Sequence, residues 1–335
     1  MSHLRYAVIG TGAIGGYFGG RLSQSGCDVH FLLRSDYEQV RRNGLVVESV
    51  NGDFELPDVN AYKQSADMPP VDVVLVALKT TSNDRLADLL PPLKPDGVVV
   101  SLQNGWGVEA AIAQHLKAKK GIAPDIIGGL CFIYANKPGP GRIQHLGYGR
   151  LLLGAHNEQG QLHALTPRLK AIAEDFSTAA VEVEAIEDLP MARWRKLVWN
   201  VPYNSLSVIL DATTGEMMAD GKVRSLITTL MEEVIMVANA WGSHTSPEIE
   251  RSISRTFIEQ MLSLTATVSS YRTSMKIDYD AQRPLEIGAI LGEPLRAAKS
   301  LGVAVPAMET IYQQLADCLR QAPLQSAASD RELFR

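Results

Sequence analysis

Cysteine is scarce in this chain: Cys27, Cys131 and Cys318 are an odd number at wide spacing. They fit neither a disulfide framework nor a zinc site, so the expectation is a reduced, metal-free, cytoplasmic protein. No apolar string approaches the about 20 residues that a bilayer requires, and the longest, such as Val71 to Leu78, have the length of strands. The first strand pattern begins by Tyr6, without the longer apolar region and cleavage site of a signal peptide. Basic excess is lacking as well. A net charge of -5 excludes a broad attractive surface for nucleic acid or anionic membrane and confines any anion site to a local cluster. Repeats and low-complexity tracts are missing too. What remains is an ordinary globular composition, 46% hydrophobic and 21% charged over 335 residues, enough for two domains with substantial cores.

The apolar stretch Tyr6-Ala7-Val8-Ile9 runs into Gly10-Thr11-Gly12-Ala13-Ile14-Gly15, after which Ala13 to Ser25 reads as a helix. A G-x-G-x-x-G pattern is weak alone and informative between a strand and a helix. The first glycine allows a tight turn, the second lets backbone approach a pyrophosphate, and the third allows close helix-on-strand packing. The phosphates would then meet a helix N-terminus. Residues 10–15 are therefore candidate dinucleotide contacts.

The next strand pattern, Asp28 to Leu33, ends about 20 residues beyond the glycines, where an NAD-binding chain usually carries Asp or Glu for the ribose hydroxyls. Here the residue is Arg34. A guanidinium can pair bidentately with a 2′-phosphate that a carboxylate would repel, which points to NADP. The alternative is a solvated arginine at a strand end, with Asp36 serving as N-cap of the following helix.

Strand and helix patterns alternate through the first half, predicting a doubly wound parallel α/β sheet. Asn51-Gly52 between Leu45–Glu48 and Phe54–Leu56 signals a hairpin. Val71 to Leu78 and Val98 to Leu102 are β-prone runs followed by Lys79-Thr80-Thr81 and Gln103-Asn104-Gly105. Ligands of open α/β sheets bind beyond the carboxyl ends of strands, which makes Lys79 and Asn104 candidate cofactor contacts, the alternatives being a solvated lysine and an Asn-Gly turn. From Ile126 to Gly154 the pattern is a strand, a Pro138-Gly139-Pro140-Gly141 turn and two short strands; Leu162 to Phe176 reads as a helix. The first domain is expected to span 1–187. A second, all-α domain over 188–320 is predicted from helical spacing in Met191–Leu210, Val223–Ala240, Pro247–Ser270, Pro284–Leu301 and Pro306–Arg320. A frayed tail is expected over 321–335.

In the first of those helices Lys196, Asn200 and Asn204 fall at i, i+4 and i+8, along one face. An ammonium and two carboxamides on one stripe can surround a polar substrate, and the lysine can protonate a developing alkoxide. The alternative is a solvated face, against which stand two asparagines, poor helix formers, and the intervening Trp199 and Tyr203. Pro202 is expected to kink this helix near Val198.

With these residues in hand the chain resembles the ketopantoate reductase family from residue 4 to about 320. The resemblance rests on the ordered set Gly10-x-Gly12-x-x-Gly15, Arg34, Lys79, Gln103-Asn104-Gly105, Lys196-x-x-x-Asn200-x-x-x-Asn204, Ser274-Met275 and Arg283-Pro284-Leu285-Glu286-Ile287. It implies a Rossmann-type domain followed by a helical one, an active site in the cleft between them, and reduction of 2-dehydropantoate to pantoate by NADPH, as in pantothenate biosynthesis. It further implies Lys196 as proton donor to the ketone oxygen, and Asn200, Asn204 and Ser274 as substrate hydrogen-bonding residues. Glu286 is implied near both cofactor and substrate hydroxyl, with Asn104 and Lys79 as cofactor contacts and Asn104 also close to the substrate. Taken by themselves, Ser274 could be a helix cap and Glu286 a first-turn acid after Pro284. Thr214, Leu285 and Gly288 depart from residues common in the family and are expected around the substrate side chain.

The rival enzyme is a related reductase or dehydrogenase of another 2-oxo or hydroxy acid. A non-catalytic NADP-sensing module would keep the glycine turn and dispense with Lys196, whose presence beside two asparagines argues against it. The partner expected is a small 2-oxo acid, with no nucleic acid or membrane; a homodimer is left open.

Overall fold

The computed structural model describes residues 4–268 and 271–321. By packing, the chain divides into two units: 4–103 with 108–189, and 104–107 with the described residues from 190 onward.

The first unit contains β1 (Arg5–Ile9), α1 (Ala13–Gln24), β2 (Asp28–Leu32), α2 (Tyr37–Asn43), β3 (Leu45–Ser49), β4 (Phe54–Leu56), β5 (Asn60–Tyr62), β6 (Val71–Val76), α3 (Leu86–Leu89), β7 (Leu93–Ser101), α4 (Val108–Lys120), β8 (Asp125–Gly139), β9 (Arg142–Ala155), α5 (Pro167–Thr178) and β10 (Val183–Ile186). Its sheet runs β4-β3-β9-β8-β7-β6-β1-β2-β5, with β10 also paired to β9. From β8 to β5 all neighbours are parallel, in the doubly wound order whose strand direction of growth reverses between β1 and β6.

Both faces of this sheet are covered, which explains why β1 and β6 read as near-continuous apolar runs. Alternate residues feed two separate cores, because side chains point to opposite faces along a strand. Tyr6, Val8, Val73 and Leu75 pack with Tyr17, Phe18 and Leu22 of α1 and Leu169, Ile172 and Phe176 of α5. Ala7, Ile9, Val74 and Val76 pack with Leu86 of α3 and Ile112 and Leu116 of α4. Each fully buried Leu, Ile or Phe contributes about 1.5–3 kcal/mol relative to exposure.

The hairpin expected around Asn51-Gly52 forms, with Val46 opposite Glu55. Two expectations are corrected. Beyond the Pro138–Gly141 turn lies one long strand, β9, whose first half pairs with β3 and second half with β10; register shifts against β8 break its periodicity. The helix expected from Leu162 starts only at Pro167, where proline occupies the first turn and the Thr166 hydroxyl accepts the Leu169 amide at 3.1 Å. That arrangement satisfies one of the amides a helix start leaves unpaired.

The second unit is helical: α6 (Leu189–Ile209, its first residue counted with the first unit), α7 (Thr214–Ala219), α8 (Gly221–Thr245), α9 (Thr256–Ala266), α10 (Ser274–Asp280), a π-turn over Gly288–Gly292, α11 (Glu293–Ser300) and α12 (Pro306–Gln321). Its core gathers Trp194, Leu197, Val198, Val201 and Tyr203 of α6 around Ile227, Leu230 and Val234 of α8. Helix α6 is continuous through Pro202, which cannot donate to the Val198 carbonyl. The helix expected from Pro247 begins only at Thr256, and the one expected from Pro284 only after Glu286. Two short helices were not anticipated, α7 and α10. The first carries a complete Thr213–Glu216 capping box, a signal present in the sequence.

The segment 104–107 packs with these helices: the Trp106 amide donates to the Ala289 carbonyl at 2.8 Å and the Trp106 ring lies 4.2 Å from that of Trp194. Gly105 has φ +107°, and a Cβ there would come within 2.5 Å of the Ala289 Cβ. No described helix is long and apolar enough to cross a membrane. Position 270, the expected end of one helix, and the tail beyond Gln321 lie outside the described residues.

Candidate active site

In the first unit the chain leaves β1 through Gly10, whose φ of +98° suits glycine and whose absent Cβ would meet the Leu78 amide at 2.6 Å. Gly12 closes the turn by donating to the Gly10 carbonyl at 2.8 Å. A Cβ on Gly15 would collide with the Gly10 carbonyl oxygen and approach Val8 Cγ1 to 2.9 Å, whereas a Cβ on Gly12 would meet no atom of the described residues within 4 Å beyond its own chain neighbours. Gly10 and Gly15 are thus required by packing, and Gly12 borders open space. Helix α1 begins at Ala13 with no side-chain cap, so its first amides, those of Ala13, Ile14 and Gly15, lack intrahelical acceptors. This is a cradle suited to an anion. The Thr11 hydroxyl donates to the Leu32 carbonyl at 3.0 Å, tying the turn to the end of β2.

Arg34 follows β2, is exposed, and makes no ion pair among the described residues. Asp36 does not cap α2 through its side chain. Its carboxylate instead accepts the Gly141 amide at 3.0 Å and pairs with Lys137 at 2.6 Å, because a full charge and a distant amide outcompete the local helix start. Burial pushes the Asp36 carboxyl up, but the Lys137 and Gly141 hydrogen bonds and the Lys137 charge outweigh it and hold the group below the usual carboxylate range. Lys79 is half-buried after β6, where its carbonyl accepts the Ser82 amide at 2.9 Å. Gln103, at the end of β7, donates to the Leu78 carbonyl at 2.9 Å and to Asn83 Oδ1 at 2.6 Å. It fastens two neighbouring strand ends, a role that the Gln-Asn-Gly motif did not reveal.

In the second unit Lys196, Asn200 and Asn204 share α6, eight residues and so about 12 Å from first to last. Lys196 is half-buried, and its ammonium donates to Asn104 Oδ1 at 2.7 Å. Asn200 and Asn204 are buried, and Asn204 Oδ1 accepts the Met275 amide at 3.4 Å, placing the stripe's far end beside Ser274. Ser274 is exposed, and the cap of α10 is its neighbour Thr273, whose hydroxyl accepts the Lys276 amide at 3.2 Å. The capping alternative for Ser274 is therefore not realised.

Glu286 is 7% exposed and precedes the helical residues. It is not a first-turn acid after Pro284; its carbonyl accepts the Ile290 amide at 3.0 Å at the start of the π-turn. Such turns mark functional positions often. Ala289, three residues on, is the one against which Gly105 and Trp106 pack. Thr214 and Leu285 turn out to be interior. Thr214 is fully buried and donates to the Val268 carbonyl at 2.6 Å, and Leu285 belongs to the hydrophobic core.

A glycine turn beneath the switch point of a doubly wound sheet is the arrangement of a Rossmann-type fold, and the half-buried lysine among amides in the helical unit suits an oxidoreductase acting on a polar carbonyl. The family described as ketopantoate reductase PanE/ApbA matches residues 6–158, and its C-terminal part matches 188–318. A 2-dehydropantoate 2-reductase from Nostoc sp. is 51% identical over 316 residues, covering 94% of this chain and 95% of that protein. A crystal structure of 2-dehydropantoate 2-reductase from Geobacter metallireducens has a TM-score of 0.85 at 40% identity, covering 94% of this chain and 99% of the other. The chain belongs to the ketopantoate reductase family. A structure of D-mandelate dehydrogenase with NADH and anilino(oxo)acetate, at 20% identity and a TM-score of 0.80 over 96% of this chain and all of that one, shares the fold.

Proposed function

We propose that this protein reduces 2-dehydropantoate to pantoate with NADPH, with Lys196 as the proton donor. The observation that carries the reading is the half-buried Lys196 ammonium held against Asn104, in a chain half-identical over nearly its whole length to a 2-dehydropantoate 2-reductase.

The region 1–187 is the NADP-binding part and 188–320 the substrate and catalytic part. The open space beside Gly12 and the uncapped start of α1 fit a pyrophosphate, and the Arg34 guanidinium, which has no ion pair among the described residues, fits a 2′-phosphate. Residues 10–15, Arg34, Lys79 and Asn104 would hold the dinucleotide, with Glu286 beside it. When bound, it supplies the hydride to the carbonyl carbon.

The protein's own work is at the oxygen. As negative charge develops there, the Lys196 ammonium stabilises it and transfers a proton, giving the alcohol. Asn104 holds the ammonium in one orientation, which removes the entropic cost of finding it in the transition state. Asn200, Asn204, Ser274 and Glu286 supply donors and acceptors for carboxylate and hydroxyl.

The identity of 51% to a 2-dehydropantoate 2-reductase supports ketopantoate over the rival 2-oxo acids. Steady-state assay of the purified protein with NADPH against a panel of 2-oxo acids tests the reading. Ketopantoate should give the highest kcat/KM; a higher value for an oxo acid lacking the hydroxyl would replace it with the rival.

A further inference from the structure

Lys137 lies near the end of β8, 126 positions beyond the glycine turn, and its ammonium donates to the Thr11 carbonyl at 3.0 Å. The same ammonium is 2.6 Å from Asp36 Oδ2. Asp36 in turn accepts the Gly141 amide at 3.0 Å and the Ser35 hydroxyl at 3.1 Å. The Lys137–Asp36 pair therefore joins the glycine turn, the loop that carries Arg34, and the turn between β8 and β9. Asp36 is 5% exposed and is held ionised by these partners.

The charges alternate along this loop. Arg34 is exposed and unpaired among the described residues, while Asp36, two positions on, carries a negative charge offset by Lys137. Their Cα atoms are at most about 7 Å apart, and a carboxylate as buried as that of Asp36 is screened by salt much less than a surface charge. A bare Asp36 carboxylate would thus act on any dianion seated at Arg34.

We propose that Lys137 is a positioning and charge-balancing residue for cofactor choice: by neutralising Asp36 it lets the Arg34 loop accept a 2′-phosphate, and so sets the preference for NADPH over NADH. This rests on the NADP reading of Arg34. NADH has no 2′-phosphate, so the Asp36 charge bears on NADPH selectively. A purely structural ion pair would behave otherwise, because breaking it from either side loosens the same loop and weakens both dinucleotides alike.

The test is titration of the full-length protein with NADPH and with NADH, read as the ratio of the two affinities, with thermal unfolding recorded for each variant. Lys137→Met should lower the preference for NADPH by about tenfold or more, a shift expected of a like charge left uncompensated. Asp36→Asn should raise it, because Lys137 then adds its full charge to the site. Lys137→Arg should keep the wild-type ratio, and the double variant Asp36→Asn/Lys137→Met should return towards it. Ratios unmoved in both single variants, or moved in the same direction, overturn the proposal. If Lys137→Met does not fold, Asp36→Asn decides, and a ratio that fails to rise overturns it. Arg34→Ala separates the two readings. A preference lost in Arg34→Ala but unmoved by Asp36 or Lys137 removes this inference alone, whereas a wild type without preference, unchanged by Arg34→Ala, removes the NADP reading with it.

Discussion

The ammonium of Lys196 and Oδ1 of Asn104 lie 2.7 Å apart although 92 positions separate them in the chain. The amide oxygen fixes where the charge points, and nothing in the spacing of α6 announces it. Asn104 reaches this position because Gly105 and Trp106 pack against Ala289.

For the chemistry, Lys196→Ala should lower kcat by about 10²- to 10⁴-fold while the folded protein still binds NADPH. Lys196→Arg keeps the charge but cannot release a proton at working pH and should be severely impaired as well. Asn104→Ala keeps the ammonium and loses its aim; a fall in kcat of roughly 10- to 100-fold is expected. Near-normal turnover of folded Lys196→Ala would assign the proton to water or another group.

The glycine turn separates packing from binding. Gly15→Ala should destabilise the protein by about 1–3 kcal/mol, because the methyl meets the Gly10 carbonyl and Val8 with no room to relax. Gly12→Ala should change stability by less than about 0.5 kcal/mol yet weaken NADPH, since its methyl enters the open space beside the first amides of α1. Urea unfolding and cofactor titration check both, and undiminished NADPH binding by Gly12→Ala would place the phosphates elsewhere.

Thr273 and Ser274 provide a paired control on substrate recognition. Thr273→Ala should cost about 1 kcal/mol of stability through loss of the α10 cap. Ser274→Ala should leave stability alone and reduce kcat/KM for ketopantoate, as should Glu286→Gln, with smaller effects on NADPH affinity. Unchanged kinetics in both Ser274→Ala and Glu286→Gln would remove these residues from the substrate site.

Acid stability should depend on Asp72, whose carboxylate accepts the Arg5 amide at 2.9 Å and the Lys94 ammonium at 2.8 Å. Burial raises this carboxyl, but Lys94 and the Arg5 amide outweigh it and hold it below the usual range. A depressed carboxyl stabilises the fold at pH values above its unfolded pKa, about 3.9, and that contribution disappears as pH falls through the lower folded value. Asp72→Asn should therefore be less stable at pH 7 and lose less stability between about pH 4 and pH 2, measured by thermal unfolding across that range. An acid limb as steep as the wild type's would show that Asp72 is not among the groups responsible.

Features carried by neighbours in the chain were legible in the sequence. The strand–glycine–helix turn, the Asn51-Gly52 hairpin and the Lys196, Asn200, Asn204 stripe each depend on steric rules that operate within a few residues. Periodicity also identified the helical half, although it overran helix starts where Pro247 and Pro284 begin non-helical segments. The Asp36 side chain shows where this reasoning stops. Its position before α2 suggested a cap, but the sheet order sets β9 beside both β8 and β3 and brings Gly141 and Lys137 to it from about 100 positions away. The same holds for Asn104 with Lys196, Gln103 with Leu78, and the interior Thr214. The sequence alone determined which residues could bend, cap or line one face, because those properties arise from local backbone geometry. Which charges were neutralised and which amide aims the lysine was decided only when packing joined distant segments, since hydrogen bonds and ion pairs act over a few ångströms of space whatever their separation along the chain.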